Sequence, residues 1–376
     1  MKRFLEHSFF LVIFSAIILS CGGVKEKFPP VEGEPLPMYH SSLLEIKECD
    51  GYTVVDVADP WGERTLQRYL LVPSDAELPK NMPAGVLLRT PLKSVVLSSG
   101  IHAGLLCEFG VESAVKGICD ARYFYNDAVL RGFAAGVVSD CGSSLNVNRE
   151  AIIQVSPGAV FVSPYENAKL DDLEKLGYPI IMCADYMENS PLGRAEWMRF
   201  YARLFGKATL GDSLFAAVCN DYDTLCASVK TVASRPRLMC ELRTGSAWYV
   251  PCGGSTMGRM YADAGADYVF AYNEGCGSVP LSYETVLDKA VESDIWLFKY
   301  NSEQEKTYAS LLSEYRGYAH FKPFREQRIY SCNSFHKRLF EETAFHPEIL
   351  LRELIAIFHP NLVPDYTLRY YEKMCQ

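Results

Sequence analysis

From residue 93 onward the chain alternates short apolar runs of β-formers with stretches whose apolar residues recur at helical spacing. Residues 94–97, 114–118 and 159–163 read as buried strands, and 104–109 and 149–155 as helices between them. A helix-like 170–176 then leads into a strand at 179–182. Such alternation predicts α/β units with parallel strands, and the run completes one Rossmann-like lobe. Two helical segments without strands follow, at 191–205 and 207–233. The second carries Leu210, Leu214, Val218, Tyr222, Leu225, Val229 and Val232 at helical spacing. At 1.5 Å per residue it reaches ~40 Å, enough to cross between lobes, and Arg235-Pro236 ends it. A second α/β series runs through 237–242, 257–264, 268–270, 283–289, 295–298 and 329–331. It closes on a helix opened by Pro347, with Ile349, Leu350, Leu354, Ile357 and Phe358 on one face. The expected fold class is α/β: two Rossmann-like lobes joined by a single long helix.

The region before residue 93 has a different pattern. Residues 52–57 and 67–72 are rich in β-formers and flank Pro60, Trp61 and Gly62, a β-hairpin signal, and a Pro-rich connection at 79–91 follows. At the start, Lys2 and Arg3 precede an apolar run at 9–19 that is too short to span a bilayer comfortably, as in an export signal. The run ends in Ile18-Leu19-Ser20-Cys21, which resembles the lipobox of bacterial lipoproteins and makes Cys21 the lipidated first residue; the alternative is an ordinary signal peptide cut near Ser20. Residues 22–37, rich in Gly, Pro and charge, suit a tether. The expected division is a signal peptide at 1–20, a tether at 21–50, a hairpin extension at 51–92, lobes at 93–206 and 235–376, and a connecting helix at 207–234.

Composition narrows the function classes. A chain of 376 residues, 49% of them hydrophobic, has ample core for two lobes, and a net charge of −9 argues against nucleic acid. Of 13 cysteines, 12 remain once Cys21 is set aside, an even number that a cell envelope permits to pair. No C-x-x-C occurs and the spacings are irregular, which favours core thiols over a zinc site.

The two α/β series repeat in detail. Asn148-Arg149-Glu150 opens a helix that leads into the strand at 159–163, and Ser282-Tyr283-Glu284 opens one that leads into the strand at 295–298. Asn148 and Ser282 are N-cap residues, and each glutamate complements a helix dipole. With Val95-Val96-Leu97-Ser98-Ser99, Phe109-Gly110-Val111, Ala264-Gly265-Ala266, His346-Pro347 and His359-Pro360, this pattern resembles the vitamin B12 and iron-siderophore class (class III) of periplasmic substrate-binding proteins, over roughly 93–360. The resemblance implies a ligand cleft between the lobes of a monomeric, lipid-anchored, periplasm-facing protein without a cofactor. Its partners are an ABC permease with its ATPase, engaged through Glu150 and Glu284, and a metal-chelate or corrinoid ligand: siderophore, haem or cobalamin. The hairpin extension, Gly158 where an aspartate usually follows the proline, and the cysteine number depart from the family pattern.

In open α/β lobes ligands sit beyond the carboxyl ends of strands. The loops there offer Ser98, Ser99 and His102; Arg122, Tyr123, Phe124 and Tyr125; and Arg243, Trp248 and Tyr249. Tyr272, Phe335 and His336 complete the set. Aromatics with polar handles suit a large planar or chelate ligand, although each also has a reading as core packing. His102 or His336 is a candidate ligand to iron or cobalt, against a structural histidine. The competing class is an envelope lipoprotein enzyme, a hydrolase or metal-dependent redox protein, for which no G-x-S-x-G, G-x-x-x-x-G-K-[ST] or H-E-x-x-H occurs. A surface adhesion module is the third class, and it predicts no deep cleft. Cys252-Gly253-Gly254-Ser255 is a lone Gly-rich turn.

Overall fold

The computed structural model describes residues 28–168 and 170–375. Cys21 and the expected signal peptide lie outside them. The first five strands, β1 (Glu34–Leu36), β2 (Leu44–Cys49), β3 (Tyr52–Ala58), β4 (Thr65–Pro73) and β5 (Val86–Thr90), are hydrogen-bonded in that order. The hairpin is β3 and β4, with Val55 opposite Tyr69. The tether and the Pro-rich connection need correcting, because β1 and β2 lie within 34–49 and β5 pairs parallel to β4. In β2, Leu44 and Ile46 point inward between Glu45 and Lys47. That two-residue alternation is short, and only the neighbouring β3 turns it into a strand.

This sheet is locked to the body of the protein. The buried Tyr69 hydroxyl donates to the Ile180 carbonyl at 3.1 Å and accepts the Met182 N–H at 2.6 Å. Two carboxylates inside residues 188–196 hold the chain before β2. Glu196, fully buried, accepts the N–H groups of Tyr39, His40 and Ser41, and pairs with Arg199 at 3.0 Å. Glu188 accepts those of Ser42 and Leu43 and the Trp197 indole N–H. A buried charge needs such partners, so these contacts define where the extension docks.

The first lobe is a parallel sheet of β6 (Val95–Leu97), β7 (Val115–Ile118), β8 (Ser139–Asp140), β9 (Ala159–Val162) and β10 (Ile180–Met182), in the order β10-β9-β6-β7-β8. Strands β6 and β9 are buried on both faces, which explains their unbroken apolar sequence. The second series supplies β11 (Arg237–Cys240), β12 (Arg243–Thr244), β13 (Ala247–Pro251), β14 (Asp267–Tyr268), β15 (Ser278–Leu281), β16 (Ile295–Tyr300), β17 (Ile329–Asn333) and β18 (Glu372–Lys373). Its main sheet runs β14-β11-β16-β17-β18, parallel except for β18. A small antiparallel sheet, β12-β13-β15, has no counterpart in the first lobe.

Between the two series along the chain stands the helix Ala208–Val229. Its buried stripe is Gly211, Phe215, Val218, Tyr222, Leu225 and Val229, while Leu210 faces solvent. The lobes also meet through a second segment. After β17 the chain lays the helix Leu339–Thr343 along Ile101–Glu108 and sets Phe345 against His102 and Tyr201, with ring centroids 5.9 and 5.7 Å apart. His346 then bridges Glu108 and Glu348, both at 2.9 Å. The helix Pro347–Phe358 packs along Ala208–Val229, and the chain returns to the second sheet as β18. Buried Glu353 fixes that return by accepting the N–H groups of Arg369, Tyr370 and Tyr371. All twelve described cysteines are free thiols, and six of them are buried. No helix among the described residues is long and apolar enough to cross a membrane.

Candidate functional site

The C-terminal ends of β6 and β7 deliver two loops that lean on each other. At Gly100 an added Cβ would lie 2.8 Å from the Tyr123 carbonyl oxygen, so only glycine lets the Ser98–Gly100 turn approach the aromatic loop this closely. Asp120 enters that loop in the left-handed region, φ 53°, which aspartate tolerates, and its carboxylate accepts the Ser144 N–H at 2.8 Å. Facing these loops are the ends of β16 and β17. There Asn301 donates to the Ser334 hydroxyl at 3.1 Å, and buried Asn333 accepts the N–H groups of Ser302 and Phe335. The Tyr125 hydroxyl donates to the Ser334 carbonyl at 3.3 Å and its N–H donates to Glu341 Oε2 at 3.1 Å, tying one wall to the other.

Between the walls is a cleft of about 580 Å³, within the range of small-molecule sites. Ser98, Ser99, Tyr123, Phe124 and Tyr125 line it from the first lobe; Asn301, Ser334, Lys337, Arg338, Phe340 and Glu341 line it from the second. Tyr123 and Phe340 are each about half exposed and present aromatic surface from opposite sides. Cys119 lies on the floor, where burial pushes its thiol up to about 12 and keeps it protonated. Burial likewise raises the Glu341 carboxyl, to about 7, against the lowering effect of the Tyr125 N–H and the Arg338 guanidinium.

The structure thus brings Ser98, Ser99, Tyr123 and Tyr125 together at one cleft, and Phe335 and His336 flank its lining residues Ser334 and Lys337. The His336 ring is engaged by the Glu303 carbonyl at 3.1 Å. Arg122 is exposed and lies over the Tyr123 ring, 4.6 Å from its centroid. Two candidates are core residues instead. His102 is buried beside Asp185, Nε2 to Oδ1 3.4 Å, in a cluster with Tyr201 and Arg194. Burial there disfavours the charged ring, while Cys183 and Asp185 raise the imidazole pKa to about 10. Trp248 is fully buried: its indole N–H donates to the Cys240 carbonyl at 3.0 Å and its ring packs on Trp296, centroids 5.8 Å apart. The reason is local, since residues 243–251 form β12 and β13, whose alternation turns Trp248 inward and Tyr249 outward. Arg243 stacks on Tyr315 at 4.6 Å, and Tyr249 and Tyr272 are exposed away from the cleft lining. The Gly-rich turn at 252–255 is the entry to the helix Thr256–Asp263, capped by the Ser255 hydroxyl.

Sequence reasoning missed Asp120, Ser144, Asn301, Lys337, Arg338, Phe340 and Glu341. The signal for the last four was the run of charged and aromatic residues directly after Phe335-His336, in a stretch whose placement depends on the second lobe meeting the first. Glu150 and Glu284 are exposed in the first turns of Arg149–Val155 and Tyr283–Ala290. Asn148 and Ser282 cap these helices through the N–H groups of Ala151 and Thr285. The N–H of Glu284 itself and the Ser282 hydroxyl hold the Glu284 carboxyl below its usual range.

The profile of the periplasmic binding protein family matches residues 121–334, more than half of the chain. The chain belongs to the periplasmic binding protein family. An uncharacterized lipoprotein of Methanocaldococcus jannaschii is 26% identical over 316 residues, covering 80% of this chain and 74% of that protein. Among solved structures, a periplasmic heme binding protein from Pseudomonas aeruginosa superposes with a TM-score of 0.58 at 14% identity, covering 76% of this chain and 99% of that one. An ABC-type Fe3+-hydroxamate transport system protein from Saccharomonospora viridis gives 0.56 at 16% identity, covering 72% and 94%. These superpositions establish a shared two-lobed periplasmic binding protein fold. Within that fold, the cleft at the carboxyl ends of both parallel sheets is where this periplasmic binding protein gathers its aromatic and polar loop residues.

Proposed function

We propose that this protein is the lipid-anchored, solute-binding component of an ABC importer, facing the periplasm, which captures a metal chelate or a corrinoid and delivers it to a permease. The observation that carries the reading is the cleft itself. Its walls come from two different lobes, its volume suits a bulky ligand, and Tyr123, Tyr125 and Phe340 supply aromatic surface among polar and charged lining side chains. Relatives whose names say that they bind heme or transport an Fe3+-hydroxamate share the fold, and a relative named as a lipoprotein supports acylation at Cys21.

In this reading Glu150 and Glu284 are the permease contacts. They occupy matching positions of the two half-repeats, both exposed, so a two-fold symmetric partner engages both lobes at once. Each rim charge contributes modestly, but two on one body make the second contact intramolecular. Reversal of both, Glu150→Lys with Glu284→Lys, abolishes delivery in reconstituted vesicles and leaves ligand affinity unchanged, and each single reversal is milder. Transport by the double variant at the wild-type rate overturns the importer reading.

A further inference from the structure

Two of the buried thiols are neighbours in one sheet. The register of β7 and β8 pairs Gly117 with Ser139 and Ile118 with Asp140, and the Cys141 N–H continues the ladder onto the Ile118 carbonyl at 2.8 Å. Cys119 and Cys141 are therefore the next aligned pair. Parallel strands run about 4.8 Å apart and aligned side chains share a face, a separation within the range that a disulfide spans. The Cys119 Sγ lies 3.6 Å from the Cys141 carbonyl oxygen, and both side chains are buried in one apolar cluster with Val96, Ile152 and Val160.

Room for the second sulfur is made by a residue that strands disfavour. Gly117 stands inside β7, where an added Cβ would lie 2.6 Å from Cys141 Sγ and 3.1 Å from Val96 Cγ2. Glycine in a strand marks a close approach, and here the approaching atom is the thiol. Cys141 Sγ thus leans over β7 at the position two residues before Cys119, on the same face. Other buried thiols have different neighbours: Cys240 meets the Tyr268 hydroxyl at 3.3 Å and Cys183 the Ile181 carbonyl at 3.5 Å.

We infer that Cys119 and Cys141 form a disulfide when the protein folds in the cell envelope, and that the bond fastens together two loops of the first-lobe cleft wall. The envelope location belongs to the solute-binding reading above, and the inference rests on it. The structure shows the pair reduced. The oxidant is itself a disulfide, that of an envelope thiol oxidase in the cell or of oxidised glutathione in vitro. One S–S bond forms between the cysteines, the oxidant's S–S bond breaks, and the two thiol hydrogens end on its two product thiols. Exchange takes place before the sheet closes, because burial pushes Cys119 to about 12 and Cys141 to about 11 and leaves little thiolate in the folded state.

The bond acts at the roots of the site. Cys119 directly precedes Asp120 and the aromatic loop, and Cys141 directly precedes Gly142 and the loop that carries Ser144. These loops already hold each other: the Asp120 N–H donates to the Gly142 carbonyl at 2.7 Å, and the Ser144 N–H to the Asp120 carboxylate at 2.8 Å. A covalent link between residues 22 apart in the chain closes the segment bearing Tyr123 and Tyr125 into a ring and restricts its unfolded state.

Refolding of the unaltered protein in reduced and oxidised glutathione, followed by alkylation and peptide mapping, tests this. Cys119 is found joined to Cys141 in most refolded molecules. Their melting temperature lies about 5 °C above that of the reduced protein, and Cys141→Ala abolishes the difference. Native refolding with both thiols alkylated, or with either cysteine bonded elsewhere, overturns the inference whatever the variant does. A bond that leaves the melting temperature unmoved overturns its fastening role. The same mapping on protein alkylated in its host cells separates the two readings. Free Cys119 and Cys141 in an envelope fraction overturn the bond and leave the solute-binding reading standing, whereas recovery of the protein from the cytoplasm overturns the envelope location and the inference with it.

Discussion

Two loops of similar composition have opposite fates in this molecule. Arg122-Tyr123-Phe124-Tyr125 follows β7, and Arg243 through Trp248-Tyr249 follows β11; each joins an arginine to aromatics beyond a parallel strand. The first loop is pinned by the short turns after Asp120 and by the close approach of Gly100, and it leaves Tyr123 about half exposed on the cleft. The second closes into the β12–β13 hairpin, and the pleat drives Trp248 into the packing of Trp296, Tyr318 and Phe321. Residue type is therefore a poor guide to ligand contact. The partner available to the backbone decides whether an aromatic side chain serves the core or the cleft.

The sharpest way to break this comparison is truncation of the buried indole. Trp248→Ala lowers unfolding free energy by about 3–5 kcal/mol, as cavity-forming losses of large aromatics do, while the folded fraction binds ligand with unchanged affinity. Denaturant unfolding and calorimetry read the two quantities, and a large affinity loss with intact stability would return Trp248 to the ligand. In the other loop the pattern inverts. Tyr123→Ala combined with Tyr125→Ala weakens ligand binding by about 2 kcal/mol, roughly 30-fold, and shifts unfolding by only about 1–2 kcal/mol, through the lost Tyr125–Ser334 hydrogen bond. Equal affinities of this double variant and the wild type in calorimetry would move the ligand to other loops. The smallest effect concerns the turn that commits the second loop to a hairpin. Gly245 has φ +61° and open space around it, so Gly245→Ala costs about 1 kcal/mol of backbone strain and nothing in affinity. A thermal melt that does not move argues that the hairpin is held by Trp248 alone.

The same distinction explains what was legible before the structure. The parallel strands β6, β9, β10 and the first four residues of β16 were visible because strands buried in a parallel sheet carry unbroken apolar runs, as in Ala159–Val162, while β7, β11 and β17 were placed by the strand–helix alternation around them. The glutamate positions were visible because Asn148 and Ser282 act locally, on N–H groups within three residues. By contrast, β1, β2 and β5 are short or polar-edged, and they become strands only beside β3 and β4. The C-terminal wall of the cleft was not legible either: Arg338 and Glu341 owe their place to Asp127 and Tyr125, more than 200 residues earlier in the chain.

By itself, then, the sequence determined the α/β alternation, the half-repeat with its capped, glutamate-bearing helices, and the loops after β6 and β7 as one wall of the site. These features depend on periodicity and on contacts within a few residues. Only the tertiary structure decided that His102 and Trp248 belong to the core, that Glu188 and Glu196 clamp the N-terminal sheet to the lobe, and that Glu341 lines the cleft beside the Tyr125 N–H. Each of these depends on which distant backbone or charge arrives beside the residue, and a pairing of that kind leaves no local pattern to read.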